Sequence, residues 1–339
     1  MKKGLLVFLL LLTTAGIYSG WQVFGPVVSQ PEGGYFYIRT GEDVNTVKKN
    51  LLDNKIISND FFYTQVARYA DFTRARPGRY KIAEGSSIVD LVKKLRRGNQ
   101  EPVRLVINKF RTKEDLAGRI GRQFECDSLE AIKFLLSNDS LQKFGVDTHT
   151  VVTLVIPNTY ELYWNGNFER ILSRLKAEHD KFWTEERLAK AKQKGLTAED
   201  VYTMASIVEE ETNKKKDKEL IASVYINRIK KGMKLEADPT VKYASRNFGL
   251  KRILYGHLKY PSPYNTYQVT GLPPGPISTA SRETIDAVLN APQTDYIFFV
   301  AKPDFKGYSN FASNYEDHKK YARAYQKALD SLILSKQGN

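Results

Sequence analysis

Two lysines, Lys2 and Lys3, precede a stretch with no charge from residue 4 to residue 30, and residues 5–24 are mostly Leu, Val, Phe, Ile and small side chains. About 20 apolar residues at 1.5 Å rise cross the roughly 30 Å hydrocarbon layer of a bilayer, so this pattern predicts one membrane-spanning helix. Basic residues stand before it and none follows until Arg39, which places the amino terminus in the cytoplasm and everything else outside. A cleaved signal peptide is the alternative, although only weak small-residue sites such as Tyr18-Ser19-Gly20 follow the apolar run. No Cys lies near it, which excludes a lipoprotein signal.

Beyond residue 25 the apolar positions change period. Residues 26–34, with Pro31, Gly33 and Gly34, have the composition of a linker. Counting from Gly41, apolar residues fall at Val44, Val47 and Leu51; counting from Gly85 they fall at Ile88, Leu91 and Leu95, at the same offsets. Each set marks one face of a short helix, each follows a strand-like run (35–38 and 80–83), and together they predict two related strand-and-helix units. Residues 103–107, 151–156 and 296–301 also read as strands. Helices are predicted after Thr112 and Ser128, along the run 168–195, and over 315–334. Regular strand-helix alternation is missing, so the fold class is α+β with segregated elements.

Composition narrows the chemistry. The chain has 339 residues, a net charge of +14 and one Cys, which leaves no intrachain disulfide and no thiolate zinc cage. His149, His179, His257 and His318 form no metal-binding pair, and neither a nucleophile elbow nor a phosphate-binding glycine loop is present, so no metal and no cofactor is expected. A basic protein outside the cytoplasm meets anionic lipid and acidic wall polymers first, so nucleic acid is not an expected partner.

The most informative segment begins at Thr197-Ala-Glu-Asp200, a capping-box pattern that starts a helix running to Thr212. Its apolar stripe is Val201, Met204, Ala205 and Val208, and it ends in Glu209, Glu210 and Glu211. At about 100° per residue Glu210 points away from the stripe into solvent, while Glu209 and Glu211 flank it. A carboxyl at the edge of an apolar stripe is partly desolvated, which raises its pKa and suits it to act as a general acid; Glu209 and Glu211 are both candidates. Three acids at a helix C-terminus run against the macrodipole, so helix stability alone gives no reason for them. Further along lie a helix over 217–229 closed by Gly232, a loop-like stretch with Glu236, Asp238 and Thr240, and a Pro-fixed aromatic stretch over 262–277. There Tyr264, Asn265 and Tyr267 offer ring faces and amide hydrogen bonds suited to a carbohydrate.

In order and near-spacing, Ala205-Ser-Ile-Val-Glu-Glu-Glu-Thr212, Asn227-Arg228, Gly232-Met233, Asp238-Pro-Thr-Val241 with Tyr243, Tyr264-Asn-Thr-Tyr267 and Gly271-Leu-Pro-Pro-Gly-Pro-Ile277 resemble the MltG (YceG-like) family of endolytic murein transglycosylases. The likeness extends more weakly to Pro157-Asn-Thr-Tyr160, to Phe311 and His318, and to the anchor and small repeat, which is similar to that family's LysM-like segment. It implies a cytoplasmic tail (1–4), a transmembrane anchor (5–25), a linker (26–34), a LysM-like subdomain (35–101) and a catalytic domain (102–339). The implied reaction cuts peptidoglycan glycan strands between N-acetylmuramic acid and N-acetylglucosamine, leaving 1,6-anhydro ends, with the cytoplasmic membrane and peptidoglycan synthases as neighbours. The resemblance assigns catalysis to Glu209. It assigns substrate contacts to Glu211, Asn227, Glu236, Asp238, Thr240, Tyr264, Asn265 and Tyr267. An internal C6 hydroxyl attacks at high effective concentration, so one carboxyl can suffice where glycosidases use two.

Five positions depart from the family pattern: Glu236 stands where Gln is common, Asn158 where Asp is usual, Val152-Thr153 where Glu-Gly is frequent, and Ser309 where His is often found. Glu236 would add a second acid. The competing readings are a hydrolase that activates water with Asp238 or Glu236, and a wall-binding scaffold without catalysis.

Overall fold

The computed structural model describes residues 2–337; Met1 of the expected tail and Gly338 and Asn339 of the expected catalytic domain lie outside the described residues. The architecture is mixed α+β with small two-stranded sheets, and the chain divides into two compact units. The first holds residues 1–105, 120–127 and 161–167, and the second holds the rest.

In the first unit, helix α1 (Lys2–Phe24) is apolar enough to cross a membrane, with mean hydropathy 1.7. Thr13 and Thr14 turn their hydroxyls back onto the carbonyls of Leu10 and Leu11, which satisfies these two polar side chains within the apolar run. Strand β1 (Tyr35–Ile38), helices α2 (Val44–Asp53) and α3 (Asp60–Tyr69), strand β2 (Gly78–Lys81) and helix α4 (Ile88–Arg97) follow. β1 and β2 pair antiparallel, Tyr35 opposite Lys81 and Ile38 opposite Gly78, so the two predicted strand-and-helix units share one sheet. Asp43 and Ser87 cap α2 and α4, and Gly98 ends α4 in the left-handed region at φ 72°. The repeated positions Val47, Leu51, Ile88, Leu91 and Leu95 are buried together with Ile38 and Tyr80. Residues 26–34 are not slack: Val28 is buried in this core and bridges Ser86.

Strand β3 (Val103–Ile107) alternates buried and exposed positions as its spacing predicts. Helices α5 (Lys113–Gln123), α6 (Ser128–Leu135) and α7 (Asn138–Gln142) come next. Residues 151–156, predicted as a strand, instead form a short 3-10 helix at Val151–Leu154, and strand β4 (Asn158–Leu162) lies beyond Pro157. An apolar run fits any buried conformation, which is why its period could not distinguish the two. The run 168–195 is two helices, α8 (Phe168–Phe182) and α9 (Glu185–Gln193), because Thr184 caps a new start.

Helix α10 (Ala198–Glu211) is the centre of the second unit, and every residue from Val201 to Val208 is buried. It packs against α11 (Lys215–Lys230), α12 (Asp238–Ala244) and, beyond the short α13 (Tyr255–Leu258), α14 (Arg282–Leu289). Strands β5 (Phe298–Ala301) and β6 (Ser309–Ala312) pair antiparallel, and α15 (Tyr315–Gln337) packs on them. Each fully buried Val, Ile or Met of α10 contributes about 1.5–3 kcal/mol through apolar burial. The polar positions on the remaining face are satisfied internally: the Ser206 hydroxyl accepts from the Ile277 amide at 3.0 Å, and Tyr202 donates to the Val155 carbonyl at 2.6 Å.

Tyr202 also accepts from the Ala280 amide, so its hydroxyl joins two segments to α10. Tyr202→Phe leaves both backbone groups buried and unpaired; a loss of about 1–3 kcal/mol is expected in denaturant unfolding.

Candidate active site

The capping box forms as predicted, with Thr197 accepting from the Asp200 amide and Asp200 from the Thr197 amide, so the register of α10 is fixed at its start. With 3.6 residues per turn, Glu209, Glu210 and Glu211 leave its last turn in three directions and meet three environments.

Glu209 is turned toward α14. Its carboxylate accepts from the Ser281 hydroxyl at 2.8 Å and from the Thr284 hydroxyl, and Lys218 Nζ stands 3.7 Å away. Burial acts to raise its pKa, but these hydroxyls and the lysine together hold it below the usual carboxylate range. The expectation of a raised pKa therefore does not hold at this position. Glu209 is ionised and committed to the N-terminal turn of α14, where Ser281 is the cap.

Glu210, expected in solvent, has a side chain only 13% exposed. Lys109 and Arg111, from the segment after β3, each reach its carboxylate at 2.8 Å, and against its burial they lower its pKa. Helical periodicity placed it correctly opposite the apolar stripe; the cover comes from another part of the chain.

Glu211 faces a cavity of about 280 Å³ lined with Arg228, Leu235, Glu236, Asp238, Tyr267, Phe299 and His318, near the lower end of the roughly 300–1,000 Å³ common for ligand sites. One hydrogen bond holds it, from the Tyr225 hydroxyl at 2.9 Å. Burial pushes its pKa up to about 7; the Tyr225 bond opposes the shift, and the negative charge of Asp238 adds to it. Of the two carboxyls that the helix geometry put forward, only Glu211 holds a proton near neutral pH.

The other expected site residues divide into two groups. Asp238, at the start of α12, accepts from the Tyr267 hydroxyl at 2.8 Å, and both line the cavity. Glu236 lines it too, with backbone in the left-handed region at φ 54° and its carboxylate 3.0 Å from Arg228. Arg228 in turn donates to the carbonyls of Ile297, Lys234 and Leu235. The second group holds loops in place. Asn227 spends its amide on the carbonyls of Thr294 and Tyr296. Thr240 is fully buried between Ala237 and Thr266. Asn265, also fully buried, donates to the carbonyls of Leu258 and Tyr260 and accepts from the Tyr267 amide. With their side-chain bonds already made to other parts of the chain, these three fasten the segments around the cavity. Tyr264 packs at a tilt against Tyr243 with ring centroids 4.8 Å apart and meets His149 Nδ1 at 3.1 Å, and it is not among the residues lining the Glu211 cavity.

Arg228, Phe299 and His318 complete the cavity lining, and Tyr225 reaches Glu211 through its hydroxyl. Tyr225 and Arg228 occupy α11 and carried no chemical signal beyond the Asn227-Arg228 motif; the packing of α11 on α10 brings them to Glu211. Among the described residues no group of three His, Cys, Asp or Glu side chains converges as a metal site.

A family model described as the YceG-like family matches residues 36–324. An endolytic murein transglycosylase of Bacillus subtilis (strain 168) is 27% identical over 303 residues, covering 85% of this chain and 83% of that protein. One from Streptococcus pneumoniae serotype 2 is 27% identical over 348 residues, covering 92% of this chain and 63% of its own length, so the chain spans less than two thirds of that relative. The crystal structure of a YceG-like protein from Listeria monocytogenes aligns with a TM-score of 0.55 at 28% identity, covering 84% of this chain and 98% of that one.

The Glu211 proton is bound more tightly in the folded chain than in the unfolded one, where the ordinary value is 4.5. Its contribution to stability is therefore complete below about 4.5 and lost as pH rises through about 7. Glu211→Gln, which keeps the Tyr225 bond and cannot ionise, is expected to exceed wild type in stability by about 1–3 kcal/mol at pH 8 and to match it at pH 4, measured by denaturant unfolding. Asn265→Ala should lower stability by about 1–3 kcal/mol at both pH values, since two part-buried carbonyls lose their donor.

Proposed function

The chain belongs to the YceG-like family, and from that premise we propose that it is an endolytic murein transglycosylase anchored in the cytoplasmic membrane by α1, with Glu211 as its proton-transfer residue. The observation that carries this reading is the environment of Glu211: a half-buried carboxyl with its pKa pushed up to about 7, one hydrogen bond, and a place in the wall of a sugar-sized cavity. The names of the relatives support the substrate, peptidoglycan glycan strands. The resemblance assigned the role to Glu209, but its bonds to Ser281, Thr284 and Lys218 keep that carboxylate charged and occupied.

In this mechanism protonated Glu211 gives its proton to the glycosidic oxygen as the bond from the muramic C1 to the departing N-acetylglucosamine breaks. The developing oxocarbenium charge lies near the carboxylates of Asp238 and Glu236, which stabilise it. The muramic C6 hydroxyl then bonds to C1 and returns its proton to Glu211, which regenerates the acid and leaves a 1,6-anhydro ring without consuming water. Tyr225 holds the carboxyl in place through both steps, and Tyr267 orients Asp238. Phe299 supplies an apolar wall for a sugar face.

Lys2 and Lys3 ahead of the apolar helix support an amino terminus in the cytoplasm and the chain beyond α1 outside. The strand–helix–helix–strand order of residues 35–81 supports the LysM-like reading of 35–101. Cutting nascent strands there would limit their length beside the synthases that extend them.

A second reading, hydrolysis, draws on the two extra carboxyls in the same cavity. Digestion of purified murein followed by mass analysis separates the two, because a hydrolytic end is one water heavier than an anhydro end. Wild type should yield anhydro ends only. Glu211→Gln is expected to lower the rate by about 10²–10⁴-fold, and Glu209→Gln to reduce stability while keeping the cutting activity. The wild-type rate should fall as pH rises above about 7, where Glu211 loses its proton. Glu236→Gln with unchanged products and pH profile would remove Glu236 from the chemistry; inactivation by Glu209→Gln alone would overturn the assignment to Glu211.

A further inference from the structure

We propose that the small first unit is seated in the membrane–water interface through the amino-terminal end of α3, with Phe61 and Phe62 dipping to the level of the lipid headgroups. This rests on the reading of α1 as a membrane anchor. The first observation is the lack of slack: Val28, four residues beyond the end of α1, is already buried and bridged to Ser86, so the unit cannot swing away from the helix on a tether.

The second observation is contact. The outer part of α1 lies against α3 and α4; on α3, Phe62 packs edge-on against Tyr18 with ring centroids 6.0 Å apart, and Phe61 packs against Phe62 at 5.3 Å.

The third is exposure. Phe61 is 63% exposed, and around the end of α1 Tyr18, Trp21 and Phe24 are exposed as well. A large apolar side chain left open beside an aromatic girdle at the end of a spanning helix is what an interfacial belt requires, with the Phe61 ring in the lipid and the polar tips of Tyr18 and Trp21 toward water. The occupant of this face is the outer surface of the bilayer itself.

The test uses the full chain in vesicles of phosphatidylcholine and phosphatidylglycerol whose acyl chains are brominated near the headgroup or near the terminal methyl. Trp164 and Trp183 are buried, so Trp21 is the native reporter of the anchor. The expected result in a Trp21→Phe background is that Phe61→Trp fluorescence is quenched several-fold more than the background by shallow bromines and weakly by deep ones. Phe61→Trp left unquenched, while Trp21 in wild type is quenched, would overturn the interfacial seat and leave the anchor standing. Absence of quenching at wild-type Trp21 would instead remove the anchor and the proposal with it. Phe61 is open to solvent, so its replacement leaves the core of the unit intact, which the unfolding midpoint of the variant checks.

Discussion

The site depends on the burial of one carboxyl that receives a single neutral hydrogen bond. Had Glu211 been given a lysine, as Glu209 has in Lys218, or the two cations that Glu210 has, it would be ionised at neutral pH and unable to donate. Tyr225 satisfies one oxygen without adding charge, and Asp238 adds a repulsion that favours the proton. The three glutamates of one helical turn thus differ only in their partners, which come from α14, from the segment after β3, and from α11.

The stability of the second unit permits this arrangement. Because α10 is enclosed on all sides from Val201 to Val208 and capped at its start, its last turn is held with Glu211 facing the cavity. Glu209 adds to the constraint by tying the same turn to the cap of α14. The loop carrying Tyr267 is pinned by Asn265, and the turn before α12 by Thr240 and Thr266, so the opposite wall is fixed by buried hydrogen bonds. A preorganised wall costs no reordering when the substrate arrives.

Much of this was legible in the residues. The apolar helix at the amino terminus, the repeated offsets after Gly41 and Gly85, and the capping box at Thr197 all follow from local rules, and local rules govern them in the fold. Residues 151–156 were misread because a continuous apolar run has no period to read, and the break at Thr184 was hidden inside a long amphipathic pattern. The motif residues Asn227, Thr240 and Asn265 were distinctive without being exposed, since polar side chains that fasten loops leave the same trace as ones that touch a ligand. Choosing among the glutamates required tertiary information. Helical spacing put Glu209 and Glu211 on equal terms, and only the positions of Lys218, Ser281, Thr284 and Tyr225 separate them.

The most direct measurement is a site-resolved titration of the glutamate carboxyl carbons by NMR on the second unit's fold in the intact chain, with resonances assigned by Gln replacement. Glu211 should titrate near 7, while Glu209 ionises below the usual carboxylate value. A Glu211 carboxyl that ionises at or below 4.5, with Glu209 holding its proton toward neutrality, would contradict the account.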